Sequence, residues 1–111
     1  METKKKIKNI IAEHRDELKK GTMGYYSCGR NIYLTDKDYV RVYIFGWGIE
    51  ISLHLDNSET LCMFYRGGSI NNLDGVWRKF RNAFKKSIAE EEEFGRNEEF
   101  LVKLKKLYSL L

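Results

Sequence analysis

The chain is 111 residues long, 42% hydrophobic and 14% aromatic, enough apolar material for one core in a chain too short for two. Twenty Lys and Arg against sixteen Asp and Glu leave a net charge of +4, far from the one-signed composition of a disordered tail. No apolar run approaches the roughly 18 to 20 residues of a membrane span, and Asn9, Glu13, His14, Arg15 and Asp16 interrupt any secretion-signal core behind Lys4, Lys5 and Lys6. Two cysteines, Cys28 and Cys62, can pair only once, so the expectation is a reduced, cytoplasmic protein with one domain over residues 1–111.

From Lys4 to Lys20, Ile7, Ile10, Ile11, His14 and Leu18 follow helical spacing, with Thr3 as expected N-cap and Gly21 as expected stop. A strand is expected within Tyr25 to Leu34, with a break at Cys28-Gly29-Arg30-Asn31, and Thr35-Asp36-Lys37-Asp38 links it to the next. Tyr39 to Phe45 then alternates, placing Val40, Val42 and Ile44 on one face and Tyr39, Arg41, Tyr43 and Phe45 on the other. Gly46-Trp47-Gly48 reads as a bend or bulge between strands. Ile49, Ile51, Leu53 and Leu55 alternate with Glu50, Ser52 and His54, and the turn chemistry of Asp56-Asn57-Ser58-Glu59 joins this run to Leu61–Arg66 as a hairpin. Gly67-Gly68 reads as the loop that leaves the sheet.

Leu73, Val76, Trp77, Phe80, Phe84 and Ile88 restore the helical period, predicting a helix over residues 73–89, and a last helix is expected from near Asn97. Helix, sheet, helix, helix is the order of an α+β fold: an N-terminal helix, an antiparallel sheet of three or four strands, and two C-terminal helices, packed on one face.

The inventory for catalysis is thin. His14 sits on an apolar stripe and reads as a structural histidine; His54 reads as a solvent-facing strand residue. Cys28, beside Arg30, is the one candidate thiolate, since a nearby cation lowers a thiol pKa. Cys28, Cys62, His14 and His54 lack the paired spacing that prearranges a zinc site. Gly46-Trp47-Gly48 lacks the third glycine of a dinucleotide fingerprint and leads into a strand. The expectation is therefore a protein with no catalytic residues, no metal and no cofactor.

Charge is distributed unevenly. Residues 73–89 hold five basic groups and one acidic group, whereas residues 90–99 hold one basic and six acidic. Arg78, Lys79, Arg81, Lys85 and Lys86 take positions that the apolar stripe leaves free, a face that either keeps the helix solvated or meets phosphates. Tyr39, Arg41, Tyr43, Phe45 and Trp47 form an aromatic and cationic strip able to stack bases, unless that side of the strand packs against the helices. Glu90, Glu91, Glu92 and Glu93 lie where carboxylates oppose a helix dipole, so either the helix continues and Lys85 and Lys86 offset them, or they serve a partner.

Val76-Trp77-Arg78-Lys79-Phe80-Arg81-Asn82-Ala83-Phe84-Lys85-Lys86, followed by Glu91-Glu92-Glu93-Phe94, resembles the amphipathic helix and acidic junction of small phage-encoded anti-CRISPR proteins that inhibit Cas9. The resemblance implies a non-enzymatic inhibitor of a bacterial CRISPR effector nuclease, with or without its guide RNA, acting in the host cytoplasm by direct protein binding. The family carries acidic side chains into the site that reads the protospacer-adjacent motif, a role that would fall here to Glu90–Glu93. Partner-binding candidates are Glu90, Glu91, Glu92, Glu93, Arg78, Arg81 and Lys85, with no membrane partner. The alternative is a small nucleic-acid-binding module using the basic face of the 73–89 helix.

Overall fold

The computed structural model describes residues 2–19, 27–55, 62–95 and 97–111. Helix α1 (Glu2–Lys19) is followed by strands β1 (Ser27–Tyr33), β2 (Tyr39–Phe45), β3 (Gly48–His54) and β4 (Cys62–Ser69). A single 3₁₀ turn (Ile70–Asn72) leads into α2 (Leu73–Phe94), and α3 (Glu98–Ser109) ends the fold. The strands form one antiparallel sheet in the order β1-β2-β3-β4, so the expected α+β class and order of elements are those of the structure.

The three helices bury one face of this sheet. Alternation puts Val40, Val42 and Ile44 of β2 and Ile49, Ile51 and Leu53 of β3 on that side, all at zero exposure. Ile7 and Ile11 of α1, Val76, Trp77, Phe80 and Phe84 of α2, and Leu104 and Leu107 of α3 close over them into one core. Helix α1 lies against β1 and β2, α2 lies against β4 and β3, and α3 packs on α2. Phe84 links the layers, meeting Phe80 and Tyr108 edge to face at centroid distances of 6.4 and 5.3 Å.

Several boundaries differ from the expectation. Thr3 does not cap α1, because the helix begins at Glu2 and the Thr3 side chain is buried within its first turn. The stop at Gly21 and the turn over residues 56–59 lie outside the described residues. Strand β1 is not broken at Cys28–Asn31, since all its residues from Ser27 to Tyr33 pair with β2. Gly67 and Gly68 belong to β4 and pair with Glu50 and Ile49. A Cβ on Gly68 would stand 2.5 Å from Val76 Cγ2, so glycine there lets α2 approach the edge strand. Gly68 thus reflects helix-to-sheet packing, which local turn chemistry does not register.

Helix α2 runs five residues past 89, taking in the whole glutamate run. It stops at Gly95, whose φ of 55° is the left-handed cap conformation, with its N–H donating to Glu91 O at 2.8 Å. Asn97 Oδ1 then accepts from Phe100 N at 3.1 Å and caps α3, with Glu98 and Glu99 at the positive end of its dipole.

Candidate functional site

The opposite face of the sheet is covered by no described element, and it carries the aromatic strip. Cross-strand register places Gly29, Asn31 and Tyr33 of β1 opposite Tyr43, Arg41 and Tyr39 of β2, which in turn face Glu50, Ser52 and His54 of β3. Paired residues project to the same side of an antiparallel sheet, so these groups share the open face. The packing that would have consumed the aromatics as core does not occur: Phe45 is 43% exposed and Tyr33 56%.

The rings form two groups. At one end, Tyr39 lies between Tyr33, at a centroid distance of 5.1 Å, and His54, at 5.0 Å with planes 2° from parallel. One face of Tyr39 is thereby stacked on His54, with Tyr33 tilted beside the ring. His54 Nε2 and Ser52 Oγ lie 2.9 Å apart, so the imidazole is held rather than free in solvent. Desolvation, and secondarily the Arg41 cation, lower the His54 pKa from its ordinary value.

At the other end stand Arg41, Tyr43, Phe45 and Trp47. Tyr43 and Phe45 are 5.6 Å apart and inclined by 34°. Trp47, 51% exposed, is carried by the two-residue turn between β2 and β3, in which Gly46 has a φ of 55°. A glycine with positive φ at the first turn position matches the twist of the flanking strands. The turn is fixed from beneath: His14 Nε2 lies 2.6 Å from Gly46 O, and Ile70 N donates to Trp47 O at 2.9 Å. A carbonyl only accepts, so Nε2 of His14 carries the proton of this bond. His14 is buried at 1% exposure and acts structurally, as its place on the stripe suggested.

The residues singled out on α2 divide. Arg78, Lys79, Lys85 and Lys86 are exposed. Arg81 instead donates to Tyr108 Oη at 3.0 Å with its guanidinium 5.3 Å from that ring, and Lys85 Nζ lies 5.8 Å from the same ring. Two of the expected binding cations thus help fasten α3 to α2. Glu90, Glu92 and Glu93 are exposed on the last turns of α2 and Glu91 is half-buried; Glu92 meets Lys105 of α3 at 3.4 Å.

Elsewhere the chemistry is sparse. Cys28, 6% exposed, pairs with Ile44 on the covered side of the sheet, the setting of an inert structural thiol. Among the described residues, no three His, Cys, Asp or Glu side chains gather as a metal site, and no helix is long and apolar enough to cross a membrane. A cleft of about 340 Å³ between α1 and the start of α2 is lined by Lys8, Arg15, Asn71, Asn72 and Asp74 among others. Its Arg15 is already bonded to Asn71 Oδ1 at 2.7 Å.

No family model matches the chain, and neither a curated protein nor a solved structure matches it.

Proposed function

We propose that this chain is a non-enzymatic single-strand nucleic-acid-binding domain whose site is the open sheet face at Arg41, Tyr43, Phe45 and Trp47. The observation that supports the reading is the position of the Tyr43 and Phe45 rings on the side of the sheet away from the helices, with Trp47 exposed in the adjoining turn. Exposed aromatic rings take unpaired bases because every base has a π-face, each stack contributing about 1–3 kcal/mol. Arg41 supplies a planar cation that both stacks and meets phosphate. A paired duplex hides the base faces that such a site requires.

The charge on the face distinguishes it from the basic side of α2. Arg41 and Glu50 share the sheet surface, so stacking rather than phosphate neutralisation carries the affinity. With one phosphate contact, the logarithm of affinity for a single strand should fall against the logarithm of salt with a slope of about −0.7. Contact through Arg78, Lys79, Lys85 and Lys86 would instead give a slope of about −3 by the same rule. Fluorescence anisotropy of labelled oligo-U and oligo-dT over a salt series tests this. Binding with the shallow slope, lost in Tyr43→Ala and Phe45→Ala, supports the proposal; absence of binding to either strand at low salt overturns it.

A second reading keeps the glutamate run for a protein partner, as the resemblance to inhibitors of CRISPR effector nucleases implies. It is favoured by one observation: four consecutive carboxylates occupy the carbonyl end of α2, where each exposed charge costs about 0.3–1 kcal/mol. Its test is binding of a purified Cas9-type effector, with Glu90, Glu91, Glu92 and Glu93 all changed to Gln. Loss of binding supports that reading, and unchanged binding removes the acidic run from it.

A further inference from the structure

The open face has a feature that its aromatic content alone does not explain: Phe45 and Arg41 of its second group cover glycines on the neighbouring strands. A Cβ built on Gly48 would lie 2.9, 3.0 and 3.4 Å from Cε2, Cζ and Cδ2 of Phe45. Those three similar distances put the point above the face of the ring, because a point beyond the same edge in the ring plane would be much farther from Cδ2. The Phe45 ring therefore lies down across β3, with one face on Gly48 and the other outward. On the opposite flank, a Cβ on Gly29 would lie 2.7 Å from Arg41 Nη2, 3.3 Å from Arg41 Cζ and 3.6 Å from Tyr43 Cδ2. The guanidinium thus reclines over β1, held there by its bond from Nη1 to Asn31 Oδ1 at 3.0 Å.

The contrast with the first group is informative. Tyr39 is stacked on the His54 ring and flanked by Tyr33 rather than laid over a glycine, although it occupies the same side of the same strand. What separates Tyr39 from Phe45 is the residue across the strand pair, His54 in one case and Gly48 in the other. Neither Gly29 nor Gly48 has a positive φ, so backbone conformation does not account for glycine at these positions. The space above the Cα does.

Resting on the single-strand reading, we infer that Gly29 and Gly48 are positioning residues that lay Arg41 and Phe45 flat on either side of Tyr43, and that the ligand is a run of about three unpaired nucleotides along β2. Alternate residues of a strand stand about 6.8 Å apart. Bases stacked in a duplex are separated by about 3.4 Å along a strand. Three platforms at i, i+2 and i+4 consequently fit a strand whose bases are pulled apart from one another and stacked on the protein instead. Arg41 at the β2 centre receives a base or its phosphate, while Tyr43 and Phe45 receive the next two.

The test uses the full chain with Gly29→Ala, Gly48→Ala and Tyr39→Leu, titrated with oligo-U of one to eight nucleotides and with a duplex competitor. Both glycine variants keep every ring, and the atoms their new methyl groups displace are ends of flexible side chains, so folding should persist. Alanine in a strand interior is also easier on the backbone than glycine, so melting temperatures should be equal or higher. The expected result is affinity that rises up to about three nucleotides and then levels, no competition by duplex, and about tenfold weaker binding in each glycine variant. Tyr39→Leu should bind within about twofold of the parent, since the Tyr39 ring is already stacked on His54 and lies over no glycine. Gly29→Ala and Gly48→Ala binding like the parent would overturn the inference while leaving the single-strand reading in place. Failure of the parent chain to bind oligo-U of any length would overturn both.

Discussion

His14 Nε2 of α1 is hydrogen-bonded to Gly46 O at 2.6 Å, so a residue near the start of the chain fixes the turn that carries Trp47. The bond crosses 32 residues of sequence and joins the helix layer to the rim of the open face. It makes the tip of the β2–β3 hairpin part of the folded core's support, although Trp47 itself projects into solvent.

Replacing His14 with Leu keeps the apolar stripe but removes the partner of the partly buried Gly46 O, a loss of about 1 kcal/mol. Gly46→Ala should cost about 1–2 kcal/mol by a different route, since a Cβ there meets nothing within 4 Å and the whole penalty comes from the positive φ. Urea denaturation of both variants checks these values. Because the two changes act on one turn, the double variant should lose less than their sum.

The His54 pKa is lowered by burial and by Arg41, and the sign of its linkage to stability follows. The unfolded chain takes up this proton at a higher pH than the folded one, so the contribution is complete above the unfolded value of about 6.5 and declines as pH falls below it. His54→Gln should flatten that part of the stability profile. Equal slopes for parent and variant between the folded and unfolded pKa values would contradict the assignment.

On α2, Arg81 and Arg78 should differ sharply despite their similar look in the sequence. Arg81→Ala removes the hydrogen bond and cation–π contact to Tyr108, and a double-mutant cycle with Tyr108→Leu should give a coupling of about 1 kcal/mol. Arg78→Ala, at an exposed position, should stay within about 0.5 kcal/mol of the parent. Thermal denaturation of the five proteins, parent and four variants, decides it.

The elements legible in the sequence were those whose periodicity reports one-sided burial. The stripe from Leu73 to Phe84 and the alternation from Tyr39 to Phe45 correspond to α2 and β2, because in both the core lies to one side. What escaped depends on partners distant in the chain. Gly29 and Gly68 look like breaks locally, yet one underlies Arg41 and the other admits Val76. Alternation separated the aromatics of β2 from its valines, but the side the helices cover is settled by the whole fold. Arg81 read as a binding residue because Tyr108, 27 residues away, leaves no mark on the helix's own pattern.

The central claim is that the open sheet face, rather than the basic side of α2, receives a single strand. Backbone amide chemical-shift mapping during titration of the ¹⁵N-labelled protein with oligo-U addresses it residue by residue. The account predicts the largest, saturable shifts at Gly29, Asn31, Arg41, Tyr43, Phe45 and the Trp47 indole, with Arg78, Lys79 and Lys86 nearly unmoved. Shifts concentrated on α2, with the β1–β3 face silent, would contradict it.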